Sequence, residues 1–412
     1  MNLCKNRHSF LALRRFFSAL AIACLILFLS TPSIWGDIPI SGEALPGLEG
    51  FDKVMLWLID KYSIPGASLA VAFNGKLILA RGYGYAKKSL TEKIPMQPQS
   101  RFRFASLSKP LTAAAIMLLA EEGKLSLDDS IISLLHELGP QKISDPRINQ
   151  ITVRHLLEHR GGFDRRISGD PMLLDQPPCP GNIKSFLARK LDFTPGEKFV
   201  YSNIGYCILG RIIEKATRKS YEDFLNERLL KPIGAHSIEL GSSRICKPSE
   251  VNYYDLPPPF LQGQRPHSAS PYGGFNLEAM DAHGGWIGST IDYLRFLTAI
   301  DGQRPPALLQ PNTFKMMLAM PDDPTLRDKP SYYAKGFNVR KLAGGGINLW
   351  HLGNLPGTEA IAVRTASGYG WVSLFNASTD DHENLEREID QRLWEGARSV
   401  KGLPVGDLFN KY

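Results

Sequence analysis

Residues 68–80 read Ser68-Leu-Ala-Val-Ala-Phe-Asn-Gly-Lys-Leu-Ile-Leu-Ala80. Ser68 to Phe73 alternates as a strand, Asn74-Gly75 suits the two positive-φ positions of a tight hairpin turn, and Lys76 to Ala80 returns as a second strand. Immediately before it, apolar residues at 51, 54, 55, 58 and 59 give Phe51 to Tyr62 the spacing of an amphipathic helix. A helix followed by a hairpin opens an antiparallel sheet. Sheet character returns only towards the other end, at Tyr333–Lys341, Asn348–His351, Ala360–Arg364 and Trp371–Phe375, before a closing helix at Asn384–Trp394. The middle is mostly helical. Pro110 to Ala120 is rich in Ala, Leu, Ile and Met with Gly123 placed to end it, Thr152 can cap Val153–His159, and Ile204–Lys215 and Tyr221–Leu230 show helical spacing. Strands first and last with helices between imply an α+β fold. An antiparallel sheet built from both chain ends and flanked by helices receives an inserted, mostly helical lobe at roughly 113–285. No long linker or internal repeat divides residues 37–412, which read as one composite domain. The irregular stretch 247–282, with Pro257-Pro258-Pro259 and Gly273-Gly274, suits either a cover over a site or a solvated loop.

The 412 residues are 43% hydrophobic and 22% charged, an ordinary profile for a globular protein with a sizeable core. The net charge of +7 raises the question of a nucleic-acid partner. Lys5, Arg7, Arg14 and Arg15 lie within the first 36 residues, which hold no Asp or Glu, so the remainder carries only +3. Nucleic-acid binding therefore has no compositional support. The same 36 residues place a basic stretch before an apolar run from Phe16 to Leu29, the pattern of a signal peptide. An uncleaved membrane segment is the alternative reading. Either implies an exported chain, periplasmic or secreted, with membrane attachment only through that segment. Beyond it stand Cys179, Cys207 and Cys246, with no CxxC and no His at ligand spacing. One disulfide fits an oxidising compartment, its pairing is open, and no metal site is indicated.

No GxSxG, HExxH, P-loop or strand-associated GxGxxG occurs. Ser106-Leu-Ser-Lys109 opens the Ala-rich helix, and positions i and i+3 project from one helix face, so a hydroxyl and an amine share it. A helix N-terminus also offers free N–H groups to a developing oxyanion. A helix cap beside a solvated lysine is the plainer reading of that motif taken alone. Tyr201-Ser202-Asn203 precedes a further apolar helix, which Asn203 would cap in the plainer reading, and His351-Leu352-Gly353 follows a strand-like run. His-x-Gly also occurs at His159-Arg-Gly161 and His283-Gly-Gly285, but His351 alone falls on a strand of the late sheet.

Taken together, these three elements in this order resemble the serine β-lactamase and penicillin-binding-protein (DD-peptidase) superfamily, in its class C β-lactamase-like branch with related esterases. The resemblance spans nearly all of residues 37–412 and includes Ile151–Gly162, Thr194-Pro-Gly-Glu-Lys198 and Gly284–Thr290. It implies acyl transfer through a covalent Ser106 intermediate on a small ester, amide or peptide substrate, without cofactor or metal. Lys109 and Tyr201 are the candidate bases. Asn203 would orient Lys109 and the substrate, His351 would position Tyr201 and substrate, and the N–H groups of Ser106 and of Asn354, just past Gly353, would hold the oxyanion. One departure stands out. Where many members have Lys-Thr-Gly or His-Thr-Gly, Leu352 replaces the threonine, and leucine cannot hydrogen-bond a substrate carboxylate. That favours esterase or peptidase-like activity over turnover of penicillins or D-alanyl-D-alanine peptides. A non-catalytic binding relative needs none of Ser106, Lys109, Tyr201 and Asn203.

Overall fold

The computed structural model describes residues 38–137, 144–170, 181–256, 271–379, 382–402 and 405–412. The 1–36 leader, Cys179 and part of the 247–282 stretch lie outside them. Among the described residues no helix is long and apolar enough to cross a membrane.

The first strands are β1 (Ile40–Ala44), β2 (Gly66–Phe73), β3 (Lys76–Lys88) and β4 (Lys93–Pro95). Next come β5 (Phe102–Arg103), β6 (Glu239–Leu240), β7 (Tyr254–Leu256) and β8 (Trp286–Gly288). The late group is β9 (Ser331–Tyr333), β10 (Asn338–Lys341), β11 (Ile347–Leu355), β12 (Thr358–Arg364), β13 (Tyr369–Phe375) and β14 (Ala377–Thr379). The main antiparallel sheet runs β1-β3-β2-β13-β12-β11-β10-β9, with β4 on β3. β2 lies beside β13, so the two chain ends share one sheet, as their alternation predicts. The hairpin turn falls at Asn74 and Gly75, both at positive φ, with Phe73 opposite Lys76. Helix α1 (Glu49–Lys61) buries Phe51, Val54, Met55, Leu58 and Ile59, the five positions its spacing selects.

Helix α2 (Ser108–Glu121) is buried over almost its whole length and lies at the centre of the main core. Around it stand α3 (Val153–Leu157), α4 (Asn203–Thr217), α5 (Tyr221–Leu225) and α6 (Leu277–Gly284), with α7 (Thr290–Ala299) against the sheet and α8 (His382–Ser399) closing the chain. Thr152 caps α3, its hydroxyl accepting from the His155 N–H. At α4 the cap is Ser202, accepting from the Gly205 N–H, and not Asn203, whose side chain is thereby left to other partners. Two element readings are corrected. The 333–341 strand is a β9–β10 hairpin turned at Lys335-Gly336, and the 221–230 helix gives way after Leu225 to one wide turn. Cys207 is disulfide-bonded, whereas Cys246 is free and exposed.

Candidate active site

Ser106 stands in a 3-10 turn, Ala105–Leu107, that runs directly into α2. The residue before it, Ala105, has φ of +50°, a left-handed conformation that costs a non-glycine residue free energy and bends the chain sharply at this point. The turn and the first residues of the helix together bring Lys109 Nζ to 3.1 Å from Ser106 Oγ. Lys109 is fully buried and its amine also donates to the His283 carbonyl at 2.7 Å. No carboxylate forms an ion pair with it among the described residues. Burial therefore holds the Lys109 pKa well below the ordinary lysine value, with Arg165 adding to the fall and Asp170 opposing it.

Tyr201 reaches the same point from the start of α4. Its phenol hydrogen-bonds the Ser106 side chain, and Lys109 Nζ lies 4.8 Å from its ring centroid. Burial pushes this phenol above its ordinary value in spite of the Ser106 bond. The loop carrying Tyr201 is fastened by His159. The Val200 N–H donates to the His159 carbonyl at 2.9 Å, the Ser202 N–H donates to His159 Nδ1 at 3.1 Å, and the two rings pack at 4.3 Å. Because Nδ1 accepts, the proton of this buried, neutral imidazole sits on Nε2.

The third side is β11. Gly353 packs against the turn before Ser106 so closely that a Cβ there would lie 2.3 Å from the Phe104 carbonyl oxygen. Beyond it, Pro356-Gly357 forms a two-residue turn that closes the β11–β12 hairpin at Leu355–Thr358. In the alternation of an antiparallel ladder, the next pair, Asn354–Glu359, then points its backbone groups away from each other. β10 ends its pairing at Trp350, so the Asn354 N–H faces an open sheet edge. Its side chain turns back to donate to Glu359.

Ser106, Tyr201, Asn203, His351 and Asn354 line one cleft of about 560 Å³, with Lys109 beneath its floor and Gly353 behind its wall. Two expected contacts take a different form. His351 Nε2 meets the Tyr333 hydroxyl at 3.1 Å, not Tyr201, while its Nδ1 donates to the Leu352 carbonyl at 2.7 Å. Burial and Lys109 lower its pKa to about 3, so it is a neutral ring. Asn203 Nδ2 donates to both carboxylate oxygens of Asp170, at 2.9 and 3.0 Å, and so joins Asp170 and its ion partner Arg165 in the cleft wall. Sequence reasoning missed Tyr333, His159 and the His283 carbonyl as parts of this arrangement. A serine hydroxyl touching both an amine whose charged form burial disfavours and a phenol held neutral can exchange protons with them while its oxygen attacks a carbonyl. No His, Cys, Asp or Glu cluster able to hold a metal ion occurs among the described residues.

The Beta-lactamase family model matches residues 51–393. The "Probable fimbrial assembly protein FimD, serogroup H1" of Dichelobacter nodosus is 35% identical over 265 residues, 63% of each chain. The serogroup D FimD of that organism is 33% identical over 337 residues, 79% of this chain and 78% of the relative. This chain thus spans less than two thirds of the length of the first of these relatives. Among solved structures, the D-amino acid amidase of Ochrobactrum anthropi SV3 is similar with a TM-score of 0.66 and 26% identity, over 85% of this chain and 99% of its own. The octameric penicillin-binding protein homologue of Pyrococcus abyssi gives 0.66 and 25%, over 87% and 78%. Both the expected superfamily and the expected fold class are borne out.

Proposed function

The chain belongs to the Beta-lactamase family, and from that premise we propose that it is an exported serine hydrolase working through an acyl-enzyme on ester or amide substrates. The observation that carries this reading is the contact of a buried, unpaired Lys109 amine with the Ser106 hydroxyl at 3.1 Å. A lysine of ordinary pKa, about 10.4, is protonated at pH 7 and cannot act as a base. Burial, which disfavours the ammonium, lowers that obstacle.

In acylation Lys109 Nζ takes the Ser106 proton as Oγ bonds the substrate carbonyl carbon. The oxyanion forms against the N–H groups of Ser106 and Asn354. As the C–O or C–N bond breaks, the proton passes to the leaving group by way of the Tyr201 hydroxyl, leaving the ester on Ser106. Water then attacks that ester, giving its proton to Lys109, and Oγ recovers a proton as the acid departs. Tyr201, held neutral, is better suited to relay a proton than to start by removing one.

The substrate is proposed to lack a carboxylate beside the scissile bond. His351 is neutral and Leu352 has no hydroxyl, so the third element offers neither charge nor donor to an anion. The amidase neighbour supports amides as well as esters. A fimbrial assembly role, which the FimD relatives' names carry, would need no serine–lysine contact. The Cys207 disulfide supports export to an oxidising compartment, in keeping with the leader.

The test is labelling with a fluorophosphonate probe. Ser106 is expected to take the label, located by peptide mass, and the Ser106→Ala protein none. Equal labelling of both proteins would withdraw the reading.

A further inference from the structure

A second cavity of about 500 Å³ lies between the sheet and α8. Its floor is apolar: Trp350 and Leu352 from β11, Ile361 and Val363 from β12. These are alternate positions on paired strands, Trp350 opposite Val363 and Leu352 opposite Ile361, so they share one sheet face. Trp394 of α8 completes the apolar lining. The facing wall is polar, with Glu383, Glu386, Arg387, Asp390 and Gln391 from α8, and Arg340 lies 5.3 Å from the Trp350 ring centroid. Leu352, Glu383 and Glu386 line both this cavity and the cleft that holds Ser106, so the two adjoin there.

Leu352 is therefore the junction. The residue that removes a hydroxyl from the third sequence element also carries an apolar floor up to the strand segment beside Ser106. Concave sites of this size with an apolar floor are a usual form of small-molecule subsite. We infer that this trough receives an uncharged, apolar arm of the substrate, an acyl or alkyl chain of several carbons running from the scissile carbonyl past Leu352 towards Trp394. The inference rests on the hydrolase reading and narrows its substrate class.

The test uses the full chain and two ester series. In p-nitrophenyl esters from acetate to hexanoate the acyl side lengthens, and in acetate esters from ethyl to hexyl alcohol the other side does. Each methylene that leaves water contributes about 3- to 4-fold to kcat/KM when fully buried, so a rise of at least about 10-fold is expected along one series. Gln391, exposed on α8 and lining only the trough, supplies the blocking variant. Gln391→Trp should flatten that rise to within about 2-fold while leaving acetate hydrolysis unchanged. Flat dependence along both series in the unsubstituted protein overturns the inference, even where Ser106 is shown to be essential. A failed hydrolase reading is recognised separately, by Ser106→Ala leaving activity unchanged or by no hydrolysis at all. In that event binding decides. The uncharged fluorophore prodan should bind, be displaced by octanamide, and be lost in Gln391→Trp, and absence of binding overturns the inference.

Discussion

Replacing Gly353 by alanine tests the geometry that the proposed chemistry requires. The added Cβ would lie 2.3 Å from the Phe104 carbonyl oxygen, 3.2 Å from Ala360 Cβ and 3.3 Å from the Leu107 nitrogen, against ordinary contacts that begin at 3.4 Å. About 1 Å of separation must therefore open between β11 and the turn bearing Ser106. No flexible side chain can absorb it, because the obstacle is backbone. Phe104 is itself tied by its N–H to the Trp286 carbonyl at 2.9 Å, and β11 is tied along its length to β12. The retreat separates the Asn354 N–H from Ser106, the two groups proposed to share the oxyanion. A misplacement of about 1 Å is worth on the order of 100-fold in rate. Overpacking of this kind costs roughly 1–3 kcal/mol of stability, which leaves the protein folded if its stability is ordinary. The assay is kcat/KM for p-nitrophenyl acetate with the rate of fluorophosphonate labelling, alongside a thermal melt. Gly344→Ala, whose Cβ meets nothing within 4 Å, is the control. A folded Gly353→Ala protein within about 3-fold of the unsubstituted rate would refute the apposition of strand and turn as the source of activity.

Four further outcomes follow from the same geometry. The kcat/KM for neutral esters should rise with pH through the depressed Lys109 value and level off well below 10.4, and Lys109→Arg, always charged, should lose that limb along with at least about 100-fold in rate. The same shift acts on stability. Folded Lys109 is neutral where the unfolded lysine still binds a proton, so protein stability relative to Lys109→Met should grow by up to about 1.4 kcal/mol per pH unit between the depressed value and about 10.4, read from urea melts. Tyr201→Phe should keep the fold but lower kcat by about 100- to 10,000-fold, measured by steady-state ester hydrolysis, and an unchanged kcat would remove the phenol from the proton path. Leu352→Thr should raise acylation by a fluorescent penicillin by about 10- to 150-fold, the worth of one hydrogen bond to a charged group, and no gain would mean carboxylate recognition lies elsewhere.

How far the chain could be read depended on whether a residue's partner was local. Asn74-Gly75 and the 51–59 spacing identify a hairpin and a helix because turn chemistry and helical period are properties of short windows. Ser106 and Lys109 are three residues apart, so any helical turn unites them. Tyr333 escaped notice because its run was read through Lys335-Gly336 as one strand, although that glycine carries the φ of +89° that turns the hairpin. His159 looked like one of three His-x-Gly occurrences. Its φ of +56° and its bonds to Val200 and Ser202 exist only once two loops 40 residues apart are side by side. The plainer reading gives Asn203 the cap that Ser202 makes, a one-residue slip that sequence preference cannot resolve, since both residue types cap well. The Glu158–Lys335 pair, at 2.8 Å and almost wholly buried, is a similar case of two charges whose match is visible only in three dimensions.

The choice between Lys109 and Tyr201 as first base turns on what the cleft does to charge. Burial acts oppositely on the two groups. It strips a proton from an ammonium and keeps one on a phenol, so a dry site containing both drives the amine towards base and the phenol towards acid. Three histidines around them follow the same rule, since burial is what chiefly keeps His159, His283 and His351 neutral. An ammonium at Lys109 would thus stand among neutral rings, with Asp170, which Arg165 and Asn203 already engage, as the carboxylate acting on it. A substrate carboxylate entering such a floor would favour protonation of Lys109 and so weaken the base it needs. A neutral ester or amide would not. On the proposed mechanism, the electrostatics that would make Lys109 competent would also disfavour a carboxylate placed against this floor, and Leu352, which has no hydroxyl to offer an anion, would act in the same direction.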